Sequence, residues 1–369
     1  MRASAGVRAG LHRLPAPGRR RRRRDRLDRG LRCVPRNATN LMNTSSESTL
    51  IFGYEFDESG HARRLSWEDV ASGPAARPGV RRWLHLNRLS PAVQTWLTRD
   101  SGIDQVIDQA LLQEDTRPRC LAHDGGLLIN LRGVNLNEGS DPEDMIAIRI
   151  WMTSDVVVSL RAFHIKAAQD LSERIMAGSV TENTGAIITF LANGLTERIE
   201  PVIAELDEKA DDFEETLLTS DDKLPRSALS SFRRKVLTLR RYIIPQRDAL
   251  AQMIREGEGL FTRAQIMQLR EVADRVTRIG EELDTIRDRS TVLQEQIIEQ
   301  RAERMNQRLF VLSIISAVFL PLGFVTGLFG VNVGGMPGVN SPLAFTLLCI
   351  GMLTLSTGLI FLFRKMRWL

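Results

Sequence analysis

The chain has 369 residues, a net charge of +5 and 43% hydrophobic residues, a composition typical of a protein with a folded core. Its three cysteines and five histidines are widely spaced, which excludes a disulfide framework and a dense metal-binding motif in the sequence. The charge is uneven, because residues 1–41 hold 13 arginines against two aspartates and the remaining residues are net acidic. The positive average therefore does not indicate a nucleic-acid partner, and none is predicted.

The N-terminal segment, residues 1–48, is predicted to be a disordered Arg-rich extension, because consecutive arginines with Pro and Gly neighbours cannot form a core. Two interpretations are open. The segment is an arm for nucleic acid or anionic lipid, or it results from a start site assigned too far upstream, with translation beginning at Met42. We favour the second, and no prediction for the rest of the chain depends on it.

Residues 49–180 are predicted to form a cytoplasmic α/β domain. Runs rich in β-branched and aromatic residues indicate strands at residues 49–54, 82–86, 127–131, 145–151 and 156–160. Helices are predicted after Ser66 and after Ser90, where Pro91 suits the first helical position. The sequence shows neither a Gly-rich phosphate loop nor a nucleophile spaced from a base, so it predicts no enzyme and no cofactor.

Residues 181–257 are predicted to form an acidic antiparallel hairpin of two helices. Apolar residues from Ile199 to Leu217 recur at steps of three or four, a turn follows near Pro225, and a second helix extends to Gly257. Nine acidic residues are assigned to its outer face: Glu205, Asp207, Glu208, Asp211, Asp212, Glu214, Glu215, Asp221 and Asp222. A solvated surface is the usual meaning of such a run, but these charges also create a negative potential that attracts cations.

Residues 258–308 are predicted to form a stalk helix. Apolar positions, with one serine among them, repeat with a period of 3.5 residues at Val276, Ile279, Leu283, Ile286, Ser290, Leu293 and Ile297. This period is typical of a coiled-coil or helix-bundle seam. Since no turn cluster interrupts the following residues, the helix is predicted to continue to residue 328. At 1.5 Å for each of about 68 residues it would span on the order of 100 Å.

The segment that follows contains 55 residues without a charged side chain, residues 309–363. Its apolar stretches, 309–328 and 343–363, are each long enough to cross a bilayer, whereas core helices of that length without a polar face are rare. Basic residues precede the first stretch and form the tail at 364–369. The positive-inside rule therefore predicts two transmembrane helices, an external loop at 329–342 and cytoplasmic termini.

A stripe of mainly small residues follows one face of the first transmembrane segment: Ser313, Ser316, Leu320, Gly323, Gly327 and Gly330. Two helices cannot enclose an aqueous path, so conduction would require several copies around an axis, with this stripe facing inward. The pair Gly323 and Gly327 is equally typical of tight helix packing without a pore. The second segment, rich in Leu, Ile and Phe, suits a lipid-facing position.

The loop between the two apolar segments reads Gly330-Val331-Asn332-Val333-Gly334-Gly335-Met336-Pro337-Gly338. It contains neither charge nor cysteine, and it offers backbone carbonyls and the Asn332 side-chain oxygen. Oxygen dipoles of this kind recognise hard or hydrated cations, whereas capture by thiolate would require cysteine. The loop therefore predicts cation recognition at the mouth of a pore.

These features resemble the CorA family of divalent-cation transporters. A Gly-x-Asn sequence ends a very long helix, a Met-Pro follows shortly after, and a basic, aromatic tail closes the chain. Within the family, the loop is similar to the ZntB branch of zinc transporters, and so are the upstream segments 110–120, 131–137 and 141–145. The resemblance covers roughly residues 49–369.

The resemblance implies an α+β membrane protein that assembles as a funnel-shaped homopentamer in the inner (plasma) membrane. The cytoplasmic domains and the acidic hairpins would surround five stalk helices, which continue as the pore lining. Gly330, Val331 and Asn332 would form the selectivity filter, with five Asn332 oxygens around one hydrated cation. Below the filter, the residues implied to line the pore are Leu309, Ser313, Ser316, Leu320, Gly323 and Thr326, with the two leucines as apolar constrictions.

Zinc is the ion that the resemblance implies, since Val331 and Gly338 replace the methionine and the acidic residue of the magnesium branch. Proton-coupled uptake is expected with it, although residues 309–363 hold no carboxylate or histidine to carry a proton. Two alternatives stay open. One is a CorA channel of the magnesium, cobalt and nickel type, and the other is a membrane-anchored coiled-coil scaffold that transports nothing.

Overall fold

The structure is a computed structural model, and it describes residues 49–114, 116–179, 181–219, 225–331, 338 and 341–365. Residues Thr49–Leu369 form one compact unit. The predicted Arg-rich extension at 1–48 lies outside the described residues, and so do residues 366–369 of the predicted basic tail.

The described residues contain one mixed sheet with the order β2-β1-β3-β7-β6-β5-β4. Its strands are β1 (Leu50–Phe56), β2 (Ala62–Arg64), β3 (Arg81–Asn87), β4 (Arg119–His123), β5 (Gly126–Gly133), β6 (Ile146–Met152) and β7 (Val156–Arg161). Neighbouring strands are antiparallel except β3 and β7, which are parallel. The five predicted strands correspond to β1, β3, β5, β6 and β7.

The two strands that were not predicted, β2 and β4, lie at the edges of the sheet and are largely exposed. Their residues lack the apolar run that marks a buried strand. The β4–β5 hairpin turns on Asp124 and Gly125, whose φ angles are 40° and 74°. Two consecutive residues with positive φ form the type I′ turn that matches the twist of a hairpin, and an Asp-Gly pair suits it.

Helices pack on both faces of the sheet and continue beyond it. They are α1 (Trp67–Ala71), α2 (Pro91–Arg99), α3 (Gln105–Leu112), α4 (Lys166–Met176), α5 (Thr184–Glu197), α6 (Glu200–Thr219), α7 (Arg226–Glu256), α8 (Arg263–Gly330) and α9 (Ala344–Lys365). The predicted start of α1 is confirmed, because Ser66 and Asp69 form a capping box. Pro91 occupies the start of α2, as predicted.

Two hydrophobic cores lie on opposite faces of the sheet. Helices α1 to α3 cover one face, where Trp96, Leu97 and Ile107 are buried. Helices α4 and α5 cover the other face, and this second core continues without a break into α6, α7 and α8. The α/β domain and the part of α8 that precedes its apolar segment are therefore joined through a shared hydrophobic core.

The segment predicted as a two-helix hairpin, residues 181–257, contains a third helix, α5, at its start. Helix α5 buries Ile187, Ile188 and Leu191 in the core that it shares with the sheet. Helices α6 and α7 meet through the rings of Phe213 and Phe232, whose centroids are 5.2 Å apart. Both helices also pack on α8, so α6, α7 and α8 form a three-helix bundle and the predicted hairpin is not free.

Helix α8 runs for 68 residues without interruption, which confirms that the stalk helix continues into the first apolar segment. Thr262 caps its start in a capping box with Gln265. The seam residues of the predicted 3.5-residue repeat, from Val276 to Ile297, are all buried. They are buried within a single chain, by α6 and α7, so the seam belongs to the bundle of one protomer.

Candidate ion pathway

Two described helices, α8 and α9, are long and apolar enough to cross a membrane. The most apolar stretch of each helix, at least 18 residues long, is not buried within the chain. Large apolar side chains such as Phe319, Phe324 and Phe345 are more than half exposed. Surfaces of this kind are stable against lipid or other copies of the chain, but not against water.

Helix α9 packs against one defined face of α8. The half-buried residues of α8 in this region are Ile314, Ala317, Val318, Pro321, Leu322 and Val325. Those of α9 include Ala344, Leu348, Met352, Ser356 and Leu359. Both sets recur at steps of one, three or four residues, which places each on a single helix face.

The predicted pore-lining residues of α8 are all exposed: Leu309, Ser313, Ser316, Leu320, Gly323 and Thr326. At about 100° per residue, Leu309, Ser316, Leu320 and Gly323 lie on the side of α8 opposite to α9, while Ser313 and Thr326 lie between the two faces. In one protomer, α9 therefore covers the back of α8 and leaves the small-residue stripe open.

The glycines of the stripe do not serve packing within the chain. A Cβ atom added at Gly323 or Gly327 would meet no atom within 4 Å among the described residues. The Gly-xxx-Gly pair is thus not the contact between α8 and α9. It is available either for packing between copies of the chain or for lining an aqueous path.

Two hydroxyl side chains among the predicted pore-lining residues bond to their own helix. Ser313 Oγ donates to the carbonyl oxygen of Leu309 at 2.8 Å, and Thr326 Oγ1 donates to that of Leu322 at 3.0 Å. Because the hydroxyl hydrogen is used in this bond, the lone pairs of the oxygen point away from the backbone. The exposed hydroxyls therefore present acceptors, which suit a hydrated cation.

The predicted filter begins where α8 ends. Gly330 is the last helical residue, and Val331 is extended and half exposed, with φ −83° and ψ 123°. Asn332 and residues 333–337 lie outside the described residues. The filter role of Gly330, Val331 and Asn332 stays a prediction, and so do the pore-lining roles.

The acidic run on α6 is divided between two directions. Arg289 of α8 binds Asp207 at 2.8 Å and Glu214 at 2.7 Å, and it also binds Asp211. The hydrogen bonds that Arg289 donates to Glu214 and Asp211 raise the pKa of its guanidinium above its ordinary value. These three acids are therefore paired with a cation on the stalk, although their side chains stay 54%, 68% and 42% exposed. The predicted cation-attracting role of the acidic residues stays a prediction.

The remaining described acids of α6 face solvent. Glu205 binds Lys209, and the hydrogen bond from this lysine lowers the pKa of the Glu205 carboxyl. Glu208, Asp212 and Glu215 are exposed and form no ion pair with another described residue. Asp221 and Asp222 lie outside the described residues.

Arg289 was not singled out from the sequence. The available signal was its place next to Ser290, one position from the buried seam of α8, where a long cationic side chain can reach a flanking helix. Among the described residues, no group of three or more His, Cys, Asp or Glu side chains is placed to hold a metal ion.

An α/β domain is joined to two exposed apolar helices, the first of which is the end of the 68-residue helix α8. This arrangement defines a membrane protein with a large domain outside the membrane. The family described as CorA-like Mg2+ transporter protein matches residues 79–365. The chain belongs to the CorA family of divalent-cation transporters. Its relatives are ion transporters and not enzymes.

Individual relatives match over nearly their whole length. The chain is 38% identical to the divalent cation transporter CmaX of Pseudomonas aeruginosa over 328 residues, which are 88% of this chain and 98% of the relative. It is 32% identical to the zinc transport protein ZntB of Pectobacterium carotovorum subsp. carotovorum, over 87% of this chain and 97% of the relative. The structure of full-length CmaX superposes with a TM-score of 0.74 at 36% identity, covering 88% of this chain and all of that one.

Proposed function

We propose that this chain takes up zinc across the inner membrane, through a pore formed by five copies and coupled to protons. The observation that carries the pore is the separation of faces on α8. Helix α9 covers one side, and the stripe from Leu309 to Gly323 is exposed on the other. A ring of copies with α8 inside and α9 outside would place the stripe around the axis and the apolar side chains of α9 towards lipid.

The pathway would select its ion at the outer end. Five copies of Asn332 would hold one hydrated cation by side-chain oxygens, since the loop offers no thiolate or carboxylate. Leu320 and Leu309, which are 74% and 53% exposed in the protomer, would form two apolar rings along the path. Such rings close a pore by excluding water and open it when the ring widens.

Entry of the ion would need no nucleotide. Moving two charges inward across 100 mV releases about 4.6 kcal/mol, because each elementary charge contributes about 2.3 kcal/mol. The outward-facing acids of α6, such as Glu208 and Asp212, would add a negative potential on the cytoplasmic side. In the proposed topology, both termini would lie in the cytoplasm.

The proposal of zinc as the transported ion rests on the loop sequence and on relatives of the ZntB branch. Val331 and Gly338 depart from the magnesium pattern, and the relative from Pectobacterium is named a zinc transport protein. A second candidate is a divalent-cation channel of broader ion range. The higher identity to CmaX, named only as a divalent cation transporter, favours that candidate.

Ion flux into sealed vesicles that contain the pure protein tests the proposal. Zinc, magnesium, nickel and cadmium are compared with and without a pH gradient. We expect zinc uptake that increases when the outside is acidic and that falls at least tenfold in Asn332→Ala. The matched control is Asn340→Ala in the same loop, which should retain uptake.

The outcomes separate the candidates. Equal flux of all four ions, unaffected by the pH gradient, would disprove zinc-specific uptake and support the divalent-cation channel of broader ion range. Full zinc flux in Asn332→Ala would disprove the filter, and no divalent flux in any condition would favour the scaffold.

A further inference from the structure

A groove of about 580 Å³ runs between α7 and α8 in the cytoplasmic part of the stalk. Its floor contains the buried side chains of Leu229 and Ile297, while Leu237 and Ile298 on its walls are 44% and 59% exposed. Exposed leucine and isoleucine in a concave surface indicate that another apolar group covers it in the working protein. We call this surface the stalk groove.

Four arginines surround the stalk groove: Arg233, Arg234, Arg241 and Arg301. Arg233 donates to the amide oxygen of Gln294, and Arg241 lies 5.7 Å from the ring centre of Tyr242. None of the four forms an ion pair with another described residue. The groove is therefore apolar at its floor and cationic at its rim, which suits an amphipathic helix with acidic residues beside apolar ones.

The outer face of α6 has the complementary chemistry. Glu208, Asp212 and Glu215 follow at steps of four and three, which places them on one helix face. They form no ion pair with another described residue, and Leu218 at the end of the same helix is 84% exposed. An acidic face next to an exposed leucine matches the cationic rim and apolar floor of the stalk groove.

The two surfaces lie at the same height on the stalk. Glu214 of α6 binds Arg289 of α8, and Leu218 lines the same surface groove as Glu299, so the acidic face covers about the level of residues 289–299. On the other side, Arg240 binds Asp284 and the groove extends to Arg301. Copies related by rotation about an axis along the stalk are not shifted along it, so only surfaces of equal height can meet.

The two surfaces also lie on different sides of α8. Arg289 faces α6, whereas Gln294, Ile298 and Arg301 line the groove. At 100° per residue, these three residues lie about 140°, 180° and 120° around α8 from Arg289. Surfaces on different flanks of one subunit give a heterologous contact, in which each copy docks on the next. Contacts of this kind close into a ring when the rotation between successive copies returns to the first copy.

We infer that the acidic face of α6 from one copy docks into the stalk groove of the next copy. The inference rests on the proposed homo-oligomer and names the surface that joins its subunits. Asp212 and Glu215 of one protomer meet Arg234 and Arg301 of its neighbour, while Leu218 covers the apolar floor. The contact lies in the cytoplasm and is separate from the pore stripe.

Disulfide trapping in native membranes tests this docking. The variant carries Glu215→Cys together with Arg301→Cys in the full-length chain. Oxidation should give a ladder of covalent dimers, trimers and larger products, because each copy is linked to two neighbours. Each single-cysteine variant should give only the background of the native cysteines. A control variant with Glu215→Cys and Glu281→Cys should give no ladder, since residue 281 lies about 30 Å lower on α8.

Charge exchange provides the second measurement. Asp212→Arg and Arg234→Asp should each shift the oligomer towards monomer by at least tenfold at low salt, and the double variant should restore it. The mass of the detergent-solubilised protein reports the change. A more than tenfold change in dissociation corresponds to at least 1.4 kcal/mol.

Each outcome decides the inference. A ladder only in the Glu215–Arg301 pair, with rescue by the double exchange, supports docking. The absence of a ladder, a crosslink confined to the monomer, or an equal ladder in the control pair overturns it. Zinc flux of the unmodified protein is read separately, so transport without a ladder refutes only the docking, and a ladder without transport refutes only the proposed function.

Discussion

Val276→Ala tests whether the periodic face of α8 is a seam inside one protomer. The Val276 side chain is 1% exposed and belongs to the core shared by α6, α7 and α8. The substitution removes two carbon groups, which costs about 1.6 kcal/mol of transfer free energy. The cavity adds about 1 kcal/mol because the surrounding helices relax only in part. The higher helix propensity of alanine offsets about 0.5 kcal/mol, so we expect the free energy of unfolding to fall by about 2 kcal/mol.

The matched control is Val106→Ala on α3, where the valine is 60% exposed. Less than half of its transfer free energy is lost, and the higher helix propensity of alanine offsets about 0.5 kcal/mol. The change should therefore be close to zero. The comparison keeps the chemistry of the substitution constant and varies only the burial.

Urea unfolding of the detergent-solubilised protein, followed by far-UV circular dichroism, measures both variants. With a slope of about 2 to 3 kcal/mol per molar urea, the midpoint of Val276→Ala should lie about 1 M below that of the native protein. Equal midpoints for the two variants would refute the assignment of the seam. A midpoint difference that grows on dilution would place the seam between copies instead.

Three further predictions concern charge, pH and the pore. Burial raises the pKa of Asp108 to about 6 from 3.8, so the stability that its neutral form supports is complete below pH 4 and is lost as the pH rises through 6. Asp108→Asn should therefore increase the free energy of unfolding at pH 8 by up to about 3 kcal/mol, and it should have little effect at pH 4. The melting temperature at the two pH values measures this difference. Arg289→Gln leaves three carboxylates without their cation and should lower the free energy of unfolding in urea by about 1 to 3 kcal/mol. The control is Arg287→Gln, which should lower it by less than about 1 kcal/mol because Arg287 pairs with residues of its own helix. Gly323→Leu should abolish flux and preserve oligomer mass, while Gly351→Leu on α9 should preserve both; loss of oligomer mass in Gly323→Leu would show that the stripe packs helices.

The strands and helices that the sequence predicted are those with strong local patterns. Strand β7 begins with three consecutive valines, and α8 keeps a 3.5-residue period in the part that precedes its apolar segment. Strand β4 was missed because its exposed residues need no apolar pattern, and α5 was not separated because its helix pattern runs nearly into that of α6. Local periodicity reports the environment of a segment, but it does not report which segment provides that environment.

The same distinction applies to the candidate pathway. The sequence alone determined that two uncharged segments cross a membrane, that a very long helix leads into the first, and that a Gly-Val-Asn motif follows it. These are properties of length and spacing. Only the tertiary structure decided which face of α8 is covered by α9, and that Asp207, Asp211 and Glu214 turn towards Arg289. The partners in that cluster are 75 to 82 residues apart, and the chain pairs them through the packing of α6 on α8, which no pattern within either helix specifies.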